Sequence, residues 1–113
     1  MKDDSVYLRY VLECIRRIEE DTVGGAVAFM GSHTIQDAVL RNLHTLTETT
    51  QRLSMELKQT HPEVEWERIA AFRNVLVHDY LGIDLDRIWD IVTLNIPELK
   101  RQIVTMLEGM QEL

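Results

Sequence analysis

The spacing of the apolar residues restricts the fold of this chain most, because they recur at intervals of three and four almost from end to end. Near the N-terminus Leu8, Val11, Leu12, Ile15 and Ile18 obey that rule, behind Asp4 or Ser5 as the expected helix cap. Residues so spaced share one face of a helix, and that stripe must be covered by a neighbour. The first helix fails near Gly24-Gly25, and a short apolar piece from Ala26 to Met30 leads into Gly31-Ser32. A second helix is expected to open with Thr34 and Asp37 in capping-box spacing. It should run through Ala38, Val39, Asn42, Leu43, Leu46, Leu53 and Leu57 to His61-Pro62. A third extends from about Pro62 to Tyr80, its apolar side made of Trp66, Ile69, Ala70, Phe72, Leu76 and Val77, with Gly82 as its terminator. Asp84 caps a fourth, which carries Leu85, Ile88, Trp89, Ile91 and Val92. Beyond a kink at Pro97 it continues with Leu99, Ile103, Met106 and Leu107. Two prolines and five glycines in 113 residues leave little material for a turn-dense β architecture. Short connections between long helices favour antiparallel neighbours. The expectation is an all-α fold, a four- to five-helix antiparallel bundle, with residues 1–113 forming one domain.

Composition narrows the function classes. A net charge of −7 repels nucleic acid at long range and argues against a packaging protein that coats RNA or DNA. It leaves room for an enzyme with a local cationic cleft, or for a chain whose main partner is a protein. The single Cys14 rules out an intrachain disulfide, suits a reducing compartment and reads as a small core hydrophobe on the first helix. The N-terminus, with Lys2, Asp3 and Asp4, has no apolar signal region. The longest uncharged stretch, Thr22 to Gln36, is broken by three glycines and a histidine. A cytoplasmic protein without a membrane segment is expected. His33, His44 and His61 are scattered without the spacing of a zinc site, and Cys14 is remote from them, so no metal and no cofactor are expected.

The third helix carries the chemistry. It reads Arg73-Asn74-Val75-Leu76-Val77-His78-Asp79-Tyr80, four reactive polar side chains beside three consecutive aliphatic ones. A guanidinium neutralises phosphate, an imidazole moves protons near neutral pH, an amide orients and a phenol can accept a group. Asn74 and His78 are four apart and share a face, so the amide can hold the imidazole. Arg73 and Tyr80 are seven apart, nearly in line. Arg73 and His78 are about 140° apart on a regular helix and converge only if it loosens near His78, as Gly82 would permit. Cleaving RNA without a metal needs one group to take the 2′-hydroxyl proton, another to protonate the leaving 5′-oxygen, and a cation for the phosphorane. One chain offers one such histidine. Two copies about a two-fold axis offer two, with two arginines, so the chemistry calls for a homodimer with third helices face to face. Trp89 and its aliphatic neighbours could add apolar area to that interface. On spacing alone, the same string also serves as a structural network at a helix end.

An ordered set of stretches carries a family likeness over about residues 34–107. These are Gln36-Asp37-Ala38-Val39-Leu40-Arg41-Asn42-Leu43, His61-Pro62-Glu63-Val64-Glu65-Trp66, the Arg73 to Tyr80 motif, and Trp89 with Pro97-Glu98-Leu99. In these the chain resembles HEPN-domain proteins of the HepT toxin type, toxins paired with a minimal nucleotidyltransferase antitoxin, MntA. The resemblance implies a dimerising helical bundle with its Arg-x4-His motif in a cleft at the dimer interface. It also implies metal-independent endoribonuclease activity, with tRNA among the substrates. Arg73 would then bind the scissile phosphate, His78 act as general acid or base, and Asn74 orient it. Tyr80 would be the residue that the antitoxin adenylylates to silence the toxin. Asp79 reads as a solvated carboxylate at the helix end, and Asp37 with Arg41 as an intrahelical ion pair. Where the family commonly has Gly-Glu-Ala this chain has Thr47-Glu48-Thr49, a difference expected to alter local packing or the dimer contact. Two readings stand: a dimeric ribonuclease toxin, or a non-catalytic helical module that binds a nucleotidyltransferase or a nucleotide.

Overall fold

The structure, a computed structural model, describes residues 3–76, 82 and 84–111. Among these residues there is no strand, and the chain is helical nearly throughout, which bears out the all-α expectation. The first helix, α1 (Asp4–Asp21), is capped one residue earlier than expected, by Asp3, whose carboxylate accepts the Ser5 N–H at 3.0 Å. Asp4 is thereby released for a tertiary role. Its carboxylate accepts the backbone N–H and the hydroxyl of Ser54, at 2.9 and 2.6 Å. The short α2 (Gly25–Met30) follows, beginning at a left-handed Gly25 with φ 84°.

Helix α3 (His33–Gln51) starts from Ser32, not Thr34, because the Ser32 hydroxyl accepts the Ile35 N–H at 3.2 Å. The helix expected to continue to His61 is interrupted after Gln51. Ser54 caps a separate α4 (Met55–Thr60) by accepting the Leu57 N–H at 3.0 Å, and Asp4 holds Ser54 in that position. Pro62 does not open the next helix. Residues 61–65 form a turn in which Val64 is buried, and the Trp66 indole donates to the His61 carbonyl at 3.0 Å. Helix α5 (Trp66–Leu76) begins there. Gly82 has the left-handed φ of 101° suited to a residue between helices. Asp84 then caps α6 (Leu85–Asp90) through the Arg87 N–H at 3.1 Å, as expected.

The disturbance expected at Pro97 takes the form of a π-helical turn, Ile91–Asn95, just before α7 (Ile96–Gln111). Proline has no N–H and its ring cannot approach the carbonyl four residues back. The preceding turn widens instead, and the Ile96 N–H reaches the Ile91 carbonyl, five residues back.

Four rods result: α1, α3, α5, and α6 with α7 as one bent rod. Asp4 against Ser54 puts the start of α1 beside the end of α3, so these two are antiparallel, and Glu48 against Arg73 holds α3 and α5 side by side. Between the rods lie Leu8, Val11, Ile15, Ile18, Val39, Leu43, Leu46, Ile69, Phe72, Ile88, Ile91 and Ile103, all buried. Phe29 of α2 is fully buried and stacks on Trp89, ring centroids 5.1 Å apart, so this tryptophan anchors the short helix to the bundle. Cys14 is buried among these residues, and burial pushes its thiol pKa up, consistent with a packing role. Among the described residues no helix is long and apolar enough to cross a membrane.

Candidate functional site

Helix α5 turns Ile69, Phe72 and Leu76 into the bundle, which places positions 73 and 74 on the outer side. Arg73 and Asn74 are both exposed, so the polar half of the motif needs no buried partners. Val77, His78, Asp79 and Tyr80 lie outside the described residues. What the structure adds to the motif is Glu48. The Arg73 guanidinium Nη1 lies 3.6 Å from a Glu48 carboxylate oxygen on α3, with side chains 59% and 43% exposed. A pair this solvated contributes at most about 1 kcal/mol to stability. It directs the guanidinium toward α3 while leaving much of it accessible to a phosphate.

Glu48 is the acid of the Thr47-Glu48-Thr49 departure. In sequence alone Glu48 has no assignable role, because the pairing exists only once α3 and α5 are side by side. Its threonine neighbours are buried within the single chain, and each hydroxyl is satisfied on its own helix. Thr47 donates to the His44 carbonyl at 2.8 Å and Thr49 to the Thr45 carbonyl at 2.7 Å. The bundle thus accommodates the larger side chains and still presents Glu48 outward.

The other candidates are not gathered here. Asp37 and Arg41 are exposed, and the ion pairs formed among the described residues do not include them. His33 and His44 are exposed, whereas His61 contacts Glu63, Nδ1 to carboxylate oxygen at 3.2 Å. Among the described residues no three His, Cys, Asp or Glu side chains are grouped to hold a metal ion. The site as described is therefore an accessible, charge-balanced guanidinium on the outer face of α5, suited to meeting a phosphodiester.

One consequence is measurable. If Arg73 binds an RNA phosphate, as the motif leads one to expect, that phosphate would meet the Glu48 carboxylate as a competitor and a like charge. Glu48→Gln is expected to tighten RNA binding several-fold in a fluorescence-anisotropy titration, with unfolding free energy changed by less than about 1 kcal/mol. Weaker binding by the Gln variant would show that Glu48 serves mainly to orient the guanidinium.

Comparison with known proteins gives the family. The family described as "Ribonuclease HepT-like" matches residues 11–106. A Methanocaldococcus jannaschii protein named "Gamma-glutamylcyclotransferase and putative RNase" is 34% identical over 98% of this chain, which spans only 50% of that protein's length. A "Putative RNase" of Caldanaerobacter subterraneus subsp. tengcongensis is 31% identical, over 96% of this chain and 97% of its own length. A "Probable ribonuclease HepT" of Thermococcus cleftensis is 35% identical, covering 83% of this chain and 86% of its own length. No solved structure matches. The likeness read from the sequence is borne out, and the chain belongs to the HepT-like ribonuclease family.

Proposed function

We propose that this chain is the toxin half of a toxin–antitoxin pair, a cytoplasmic, metal-independent endoribonuclease that works as a homodimer. The observation that carries the reading is the accessible Arg73 at the end of α5, in a chain whose family is ribonucleolytic. In the reaction the 2′-oxygen attacks phosphorus and the P–O5′ bond breaks. One His78 takes the 2′-hydroxyl proton, and His78 of the other protomer protonates the departing 5′-oxygen. Arg73 neutralises the charge that builds on the non-bridging oxygens, and Asn74 holds the imidazole in place. The products are a 2′,3′-cyclic phosphate and a 5′-hydroxyl.

The cognate partner is a nucleotidyltransferase antitoxin of the MntA type. It transfers adenylyl from ATP to the Tyr80 phenol oxygen and releases pyrophosphate. The appended group adds bulk and negative charge beside Arg73 and His78, where an RNA phosphate would bind.

Purified protein incubated with RNA in excess EDTA tests the cleavage reading. Fragments ending in 2′,3′-cyclic phosphate, at a rate unchanged by the chelator, are expected. Cleavage that needs an added divalent cation would overturn the metal-independent mechanism. A complete lack of cleavage, with antitoxin binding retained, would favour the non-catalytic interaction module, which the net charge of −7 also suits.

A further inference from the structure

Between α1 and α3 runs a solvent-open groove of about 740 Å3, lined by Tyr7, Tyr10, Arg9, Arg52 and His44 together with two acids, Glu13 and Glu48. Through Glu48 the groove reaches Arg73, which stands at its rim. Both acids are already engaged. Glu48 faces Arg73, and Glu13 is bridged by Arg16 at 2.8 Å and Arg17 at 3.0 Å, which hold its carboxyl down at about 2. Arg9 and Arg52 enter no ion pair among the described residues, and Arg9 acts on Asp3 only through space. In a chain of net charge −7, the uncommitted charge of this groove is therefore positive. At its mouth Tyr10 and Val6 are 51% and 57% exposed.

Guanidiniums with no ion-pair partner among the described residues, beside an exposed aromatic ring, form the kind of platform that single-stranded nucleic acid uses. Phosphates track the cations, and a base stacks on the ring whatever its identity. We infer that this groove binds the single-stranded RNA segment flanking the scissile phosphate, with a base on Tyr10 and its phosphates on Arg9 and Arg52. The inference rests on the ribonuclease reading for what sits at Arg73. It extends that site from one phosphate to a strand and gives an acidic protein a local foothold on a polyanion.

The test uses the full chain carrying His78→Ala, so that RNA is bound but not cut, and a fluorescein-labelled oligouridylate as probe. Adding Tyr10→Ala is expected to weaken binding about tenfold, and Tyr10→Phe, which keeps the ring, to restore it. Adding Arg9→Gln with Arg52→Gln should flatten the slope of log affinity against log salt by about 1.4, or about 0.7 per lost phosphate contact. Unchanged affinity and slope in these variants would overturn the inference. So would variants that keep RNA affinity but split the dimer or lose the antitoxin, because the groove would then be a protein interface. The two readings fail separately. Wild type that binds through the groove yet cleaves nothing sinks the cleavage reading alone, whereas cleavage with unchanged KM in the groove variants sinks the groove alone.

Discussion

Substituting alanine for His78 is expected to reduce RNA cleavage by about four orders of magnitude, near the top of the range for general acid–base catalysis. The reason for so large an effect is symmetry. In the proposed homodimer the same substitution would remove both the base that deprotonates the 2′-hydroxyl and the acid that protonates the 5′-oxygen. The wild-type rate should also trace a bell in pH, since one imidazole must be neutral and the other charged. The check is a single-turnover rate in EDTA across pH, with thermal melts to confirm that the variant is folded. Cleavage by the Ala variant within a few-fold of wild type would remove His78 from the mechanism, whatever the fate of the rest of the site.

Tyr80→Phe should separate the poison from its control. The phenyl ring keeps the shape of tyrosine and leaves Arg73 and His78 untouched, so cleavage and growth arrest persist. The acceptor oxygen is gone, so no adenylyl group can be attached. Co-expression with the antitoxin should therefore arrest growth with the Phe variant and permit growth with wild type. Intact mass should show one or more adenylyl units on the wild-type chain and none on the variant. Modification of the Phe variant, with silencing preserved, would place the acceptor on another side chain.

The bundle was legible because its rods are amphipathic over many turns. The stripes Leu8-Val11-Ile15-Ile18 on α1 and Ile88-Ile91 with Leu99-Ile103 on the last rod are the ones that are buried. Breaks and starts were less so, for local reasons. Leu53 and Leu57 keep helical spacing across the break at residues 52–54, so periodicity passes over a stop that Ser54 and Asp4 make together. Where several capping residues stand in a row, as in Asp3-Asp4-Ser5 or Ser32 with Thr34, composition does not decide which carboxylate or hydroxyl turns inward. Pro97 announced a disturbance, but the shape it took, a widened turn before the proline, depends on the carbonyls around it.

The candidate site divides in the same way. Arg73 and Asn74 could be singled out from residue type and spacing alone, and the structure puts both at the surface of one helix end. Glu48 could not, since its partner is distant in sequence and an acid on an exposed helix face is unremarkable until α5 lies against α3. The α1–α3 groove was hidden for the same reason. Tyr10 and Arg9 lie off the apolar stripe of the first helix, and only the fold brings Arg52 and His44 into one groove with them.

Pooling of the two His78 imidazoles in one cleft is tested most directly by a mixed dimer. One wild-type protomer and one His78→Ala protomer, carrying different affinity tags, are co-expressed and isolated by tandem purification, and their RNA cleavage is measured in EDTA. With one proton carrier gone from a shared site, the mixed dimer should cleave at least about a hundredfold more slowly than wild type. Half the wild-type rate would contradict the account, because each protomer would then be cutting RNA on its own.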